Sequence, residues 1–192
     1  MTSDHDPGRR SAMTALVAAT AQAAAHGGET PEPHTKTLVA YFSRSGNTRV
    51  VAGVIQRARK AQLFEIVPAA DYPEDYLATV AQARKERDAG FEPALAARVT
   101  NLATYDTLFL GFPIWGETAS PVIRSFLSAH DLSGKTLIPF ITHSGYGPGS
   151  SRAVLARHAP KARLREGFII EMDQERRTME RVTQWLGSAG LQ

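Results

Sequence analysis

The 192-residue chain contains no cysteine. That excludes disulfides, thiolate zinc sites, iron–sulfur ligation and thiol catalysis. It permits an oxidising compartment without requiring one. No apolar run is long enough to span a bilayer, and the six histidines show no metal-ligand spacing. The formal net charge of +3 is not gathered into a long basic block, and aromatic and basic residues are not interleaved. The usual grounds for nucleic-acid binding are therefore missing. A serine nucleophile elbow needs Gly-x-Ser-x-Gly, but neither Ser45 nor Ser144 has a glycine two positions before it.

What remains is an ordinary globular composition, 43% hydrophobic and 21% charged, in a length that fits one domain plus a tail. The N-terminus reads as a separate object. Arg9-Arg10 precedes an uncharged, alanine-rich stretch, residues 11–25, and a polar Gly- and Pro-containing linker follows at 26–35. The arrangement resembles an export signal of the twin-arginine type, with cleavage near Ala25. Gly8 and Ala12-Met13 depart from the usual pattern of such signals. The expected location is exported or periplasmic; the alternative is a cytoplasmic protein with an N-terminal arm. No cysteine follows the segment, so a lipoprotein anchor is excluded.

From Lys36 onward strand-like and helix-like patterns alternate, with no internal repeat. Expected strands are 38–42, 63–67, 107–111, 136–142 and 167–171; expected helices are 48–60, 74–89, 120–129, 150–158 and 174–186. The order predicts an α/β fold, a doubly wound five-stranded parallel sheet with helices on both faces. A phosphate-type loop after the first strand favours strand order 2-1-3-4-5, and ligands then bind at the strand C-terminal ends.

Three loops converge there. Ser43-Arg44-Ser45-Gly46-Asn47-Thr48-Arg49 follows the first strand and opens a helix. Its hydroxyls, one glycine and the helix N-terminus suit a terminal phosphomonoester. No lysine follows the glycine, so this is not a Walker A loop. The plainer alternative is a turn whose Ser or Asn caps the helix. The second loop, Phe112-Pro113-Ile114-Trp115-Gly116-Glu117-Thr118, offers Trp115 as a flat apolar face for a planar ligand, or for packing. The third, residues 142–150, places Gly145, Gly147 and Gly149 where amides could reach a heterocycle's polar edge; a glycine-rich surface loop is the alternative. His143 faces the same crevice, either towards a ligand or bonded to nearby backbone. Asp71-Tyr72-Pro73-Glu74-Asp75-Tyr76 reads as a helix start with Pro73 in the first turn. Its tyrosines suit core or subunit packing, or the cavity. Arg84-Lys85-Glu86-Arg87-Asp88 reads as a solvated helix face.

The segments SRSGNT, FEIVPAADYPEDY, YDTLFLGFPIWGETASPVIRSFL and DLSGKTLIPFITHSGYGPGS cover most of the body in order. On them the chain, over residues 36–186, resembles the flavodoxin-like proteins that bind flavin mononucleotide (FMN). The resemblance implies an FMN phosphate at Ser43, Ser45, Gly46, Asn47 and Thr48, with Arg44 lining the loop. It implies that Pro113, Ile114, Trp115 and Gly116 flank one side of the isoalloxazine ring. Thr142, Ser144, Gly145 and Gly147 would flank the pyrimidine edge and the other side. The second loop departs from the pattern, because Gly116-Glu117 follows a single Trp where related proteins often carry two. Domain boundaries follow as 1–25 signal segment, 26–35 linker and 36–192 flavodoxin-like domain.

GYGPGS also matches a dinucleotide fingerprint with Ser150 in place of the last glycine, and Glu171 and Asp173 follow at ribose-contact separation. Pro148 removes an amide from that loop, and the unit is the last βαβ. Three functional readings stay open. One is electron transfer through bound FMN to a redox partner protein or small-molecule acceptor. The second is NAD(P)H-dependent quinone reduction, and the third a non-redox binding module.

Overall fold

The chain's apolar runs are the framework of a sheet buried on both faces. In the computed structural model, residues 36–171 and 175–189 are described, with side chains of the final helix described from Arg181 onward. The expected signal segment and linker lie outside the described residues. The strands are β1 (Thr37–Tyr41), β2 (Gln62–Glu65), β3 (Thr107–Trp115), β4 (Thr118–Ala119), β5 (Thr136–His143), β6 (Arg163–Leu164) and β7 (Phe168–Glu171). The helices are α1 (Asn47–Arg59), α2 (Tyr76–Asp88), α3 (Pro121–Ser128), α4 (Ser151–His158) and α5 (Glu175–Ser188).

The sheet runs β2-β1-β3-β5-β6, with β7 also on β5. β1 pairs in parallel with β2 and β3, and β5 pairs in parallel with β3, β6 and β7. This is the expected 2-1-3-4-5 order, with the fifth position shared by two short strands. The sharing has a cause in Pro139. Leu137 accepts from the Arg165 amide on that edge, so the period-2 pleat turns the nitrogen of Pro139 the same way. Proline has no N–H to continue the ladder, and Gly167 packs directly on the Pro139 carbonyl.

Alternation along each strand divides the core. Leu38, Ala40, Phe42, Leu108, Leu110 and Phe112 face one side, packed with Val122, Ile123, Phe126 and Leu155 of α3 and α4. Val39, Tyr41, Phe109, Ile138 and Phe140 face the other, packed with Val51, Ile55, Val182 and Leu186 of α1 and α5. Both faces are apolar, so the strands read in sequence as unbroken hydrophobic runs. Phe109, Phe112, Phe126 and Phe140 are fully buried, and burial of such a side chain stabilises by about 1.5–3 kcal/mol. The loops at the C-terminal strand ends therefore stand on a rigid base.

Three details differ from expectation. β3 continues through Trp115 and turns back into β4, pairing Ile114 with Ala119 and Trp115 with Thr118 in antiparallel register. The second loop is thus mostly a hairpin. Its two-residue turn has φ of 57° at Gly116 and 67° at Glu117, the positive pair that a tight type I′ connection demands. Helix α2 starts at Tyr76, capped by the Asp75 side chain, which accepts from the Ala78 amide at 2.7 Å. Pro73 precedes the helix and lies outside its first turn.

The 84–88 run is not simply solvated. Glu86 is buried, accepting from the Tyr72 hydroxyl at 2.7 Å and from Gln82 at 2.8 Å. Among the described residues no helix is long and apolar enough to cross a membrane.

Candidate functional site

A crevice of about 770 Å³ opens at the C-terminal ends of β1, β3 and β5. Of the residues expected there, Arg44, Ser45, Asn47, Pro113, Ile114, Trp115, Gly116, Thr142 and Ser144 line it. Ser43, Gly46, Thr48, Gly145 and Gly147 do not form its wall but hold the loops that do.

The first loop has the features of an anion cradle. Gly46 is the residue before α1, at φ 91° and ψ −18°, and no side chain caps the helix. The capping alternative therefore fails. The first-turn amides of α1 lack intrahelical acceptors, and that turn contains no acidic residue. Beside it the Ser43 hydroxyl is buried with no hydrogen-bond partner among the described residues, although such a group normally has one. Arg44 reaches away from the loop, donating to the Glu74 carbonyl at 2.7 Å. It fastens the loop to the approach to α2.

The first and third loops are tied beneath the crevice. Thr48 and Thr142 are both buried, and their hydroxyls lie 2.9 Å apart in one hydrogen bond. Two hydroxyls bring two protons and this bond uses one, so one O–H stays available to an acceptor.

The third loop is ordered by its own histidine. His143 Nδ1 accepts from the amides of Gly145 and Gly147, each at 3.2 Å. Those amides are thus engaged with His143, and the loop presents Thr142, His143, Ser144 and Tyr146 to the crevice. An accepting Nδ1 places the neutral ring's proton on Nε2, the remaining donor of a crevice residue.

Trp115 both lines the crevice and packs. Its ring meets Phe42 edgewise at 5.3 Å and Tyr72 edgewise at 4.8 Å. Tyr72 is fixed in turn by Glu86. Burial, reinforced by the Glu86 carboxylate, holds the Tyr72 phenol protonated well above the ordinary range. Tyr72 takes the packing role, while Tyr76 is exposed on the crevice rim.

The fourth wall is α2, through Tyr76, Thr79, Val80, Ala83, Arg84 and Arg87. These residues fall at helical i, i+3, i+4, i+7, i+8 and i+11 spacing, the signal that could have found them. Arg87 donates to the Gly116 carbonyl at 2.9 Å and is held by Asp88 at 2.8 Å. It fastens α2 to the hairpin turn after Trp115.

The flavodoxin family profile matches residues 36–189. The chain belongs to the flavodoxin family. It is similar to a protein from Bacteroides eggerthii described as a flavoprotein, 32% identical over 79% of this chain and 96% of that one, with a TM-score of 0.68. A Bacteroides uniformis counterpart is also 32% identical, over 79% and 97%, with a TM-score of 0.70. A Lactobacillus acidophilus flavoprotein in complex with FMN shares the fold, at 20% identity over 70% and 93% and a TM-score of 0.64. No curated protein matches the chain.

Flavodoxins are redox proteins that carry a flavin, and the residues of this crevice fit one. A phosphomonoester would meet the orphaned Ser43 hydroxyl and the uncapped α1. The apolar wall of Pro113, Ile114 and Trp115 suits a planar ring.

Proposed function

We propose that the crevice binds FMN noncovalently and that the protein passes reducing equivalents through the flavin. The observation that carries this reading is the partnerless Ser43 hydroxyl beside the uncapped N-terminus of α1. Bound there, the flavin supplies the acceptance and donation of reducing equivalents; the chain supplies position and environment.

Ser43, Ser45, Gly46, Asn47 and Thr48 would hold the phosphate, through hydroxyls and amides rather than a lysine. Pro113, Ile114, Trp115 and Gly116 would flank one side of the ring. Thr142 and Ser144 would serve the polar edge, and Gly145 and Gly147 would support them through His143. The leading reading is electron transfer to a redox partner protein or small-molecule acceptor. A second reading, hydride uptake from NAD(P)H with reduction of a quinone-like acceptor, gains support from Arg124 and Arg157, which line a second cleft adjoining the crevice at Gly116-Glu117. We also propose export through the Arg9-Arg10 segment.

The test is FMN against riboflavin. Wild-type protein should purify yellow or prefer added FMN. Ser45→Asp should weaken FMN strongly and riboflavin much less, because a carboxylate then opposes the phosphate. Equal loss for both ligands would separate the loop from the phosphate. An anaerobic titration with NADH, NADPH and a one-electron donor, followed by visible absorption, distinguishes the two electron routes.

A further inference from the structure

A second cleft, of about 610 Å³, adjoins the crevice and shares with it Arg87, Gly116, Glu117 and Tyr146. Its remaining wall includes Arg124, Arg157, Gly149 and Ser150. Arg124 is only 7% exposed, yet its Nε has no hydrogen-bond partner among the described residues. Its one hydrogen bond among the described residues is long, from Nη1 to the Arg87 carbonyl at 3.4 Å. No carboxylate among the described residues forms an ion pair with it. A guanidinium this buried normally has a carboxylate or a full set of acceptors.

Arg157 is exposed on the same cleft and has no ion pair or hydrogen bond among the described residues. Arg87 is already neutralised by Asp88, and His158 lies 3.6 Å from Glu92. Glu117 is the one acidic residue in the lining. Its backbone carbonyl is bound by the Ser150 amide at 2.9 Å, which seats the hairpin turn on the start of α4. Helix α4 has no side-chain cap hydrogen bond among the described residues, so its positive end adds to the charge of the Arg124 and Arg157 guanidinia.

We propose that this second cleft binds the phosphate group of the small molecule that exchanges electrons with the flavin. Arg124 and Arg157 are its recognition residues. A phosphate offers acceptors for both guanidinium groups, and the volume admits a phosphorylated organic substituent rather than a bare ion. The shared wall at Gly116-Glu117 lets one ligand enter both spaces, with its redox-active part in the crevice and its anionic part in the cleft. The ligand's role rests on the FMN reading of the crevice; the anion site does not.

The test titrates FMN-saturated protein with inorganic pyrophosphate while following amide NMR shifts. With the 43–48 loop filled, saturable shifts should centre on Gly149 and Ser150. Arg157→Gln and Arg124→Gln should each weaken pyrophosphate roughly tenfold or more, as expected for loss of a charge-assisted hydrogen bond. Arg157→Gln alters an exposed residue, so the test survives if Arg124→Gln fails to fold.

Tighter binding of NADP⁺ than NAD⁺ would assign the phosphate to a dinucleotide; equal weak binding beside tight pyrophosphate would assign it to another phosphorylated substrate. No saturation, or affinity indifferent to Arg157→Gln, would overturn the proposal. Should the chain take up no FMN, the same titration on Ser45→Asp protein reads the cleft alone and keeps the two failures apart.

Discussion

The Thr48–Thr142 hydroxyl pair joins the start of α1 to the end of β5, and its contribution can be measured by replacing each residue with valine. Valine keeps the β-branched shape and exchanges a hydroxyl for a methyl. Both residues are almost completely buried, at 1% and 2% exposure, so either single substitution leaves the surviving hydroxyl without water or partner. That costs about 1–3 kcal/mol. For a domain of this size the loss lowers the melting temperature by about 2–12 °C, at roughly 2–4 °C per kcal/mol.

The double variant removes both polar atoms, but its two methyl carbons would replace oxygens 2.9 Å apart. Carbon atoms prefer about 3.5–4.0 Å, so some overpacking remains. The double substitution should therefore cost clearly less than the sum of the singles, with a coupling of at least about 1 kcal/mol. Thermal unfolding of the four apo proteins, followed by circular dichroism, measures it without ligand linkage. Additive losses would refute the reasoning, since they would show that neither hydroxyl depends on the other.

Trp115→Ala should weaken FMN about 2- to 13-fold, the equivalent of about 0.5–1.5 kcal/mol of ring contact, and brighten the residual bound flavin. Unchanged affinity and quenching in a fluorescence titration would assign Trp115 wholly to its packing on Phe42 and Tyr72. His130 donates from Nδ1 to the Phe126 carbonyl at 2.7 Å and accepts at Nε2 from the Val99 amide at 3.0 Å, which fixes it neutral. Burial lowers its pKa from the ordinary 6.5, so the unfolded chain takes up the proton first and stability falls as pH drops below about 6.5. His130→Gln should flatten that part of a urea-denaturation pH profile; parallel profiles would assign the acid sensitivity elsewhere. Replacing Arg9 and Arg10 by Lys should hold the full-length protein in the cytoplasm, whereas the unaltered chain should appear outside it, shortened near Ala25. N-terminal sequencing of fractionated cells reads the result, and an intact chain confined to the cytoplasm would remove the export proposal.

Strand and helix order were legible from the sequence because both sheet faces are buried. Runs such as Leu38-Val39-Ala40-Tyr41-Phe42 have to be hydrophobic at every position, and a phosphate-type loop after the first of them pointed to the C-terminal strand ends, where the crevice lies. The loop stood out because short hydroxyl side chains and glycine sit at a strand–helix junction, and Arg44, Ser45 and Asn47 of it line the crevice.

What the sequence left open depended on atoms far apart in the chain. Thr48 and Thr142 are separated by 94 residues, and only the parallel pairing of β1, β3 and β5 brings their hydroxyls together. Glu86 and Arg87 look like part of a charged surface run, yet α2 crosses the strand ends so that one binds Tyr72 and the other the Gly116 carbonyl. The split of the last strand follows from Pro139, whose missing N–H matters only once β5 has a neighbour on that edge. Local pattern thus set the elements and the first loop. The walls of the crevice and of the basic cleft beside it were decided by which distant side chains the tertiary fold brings together.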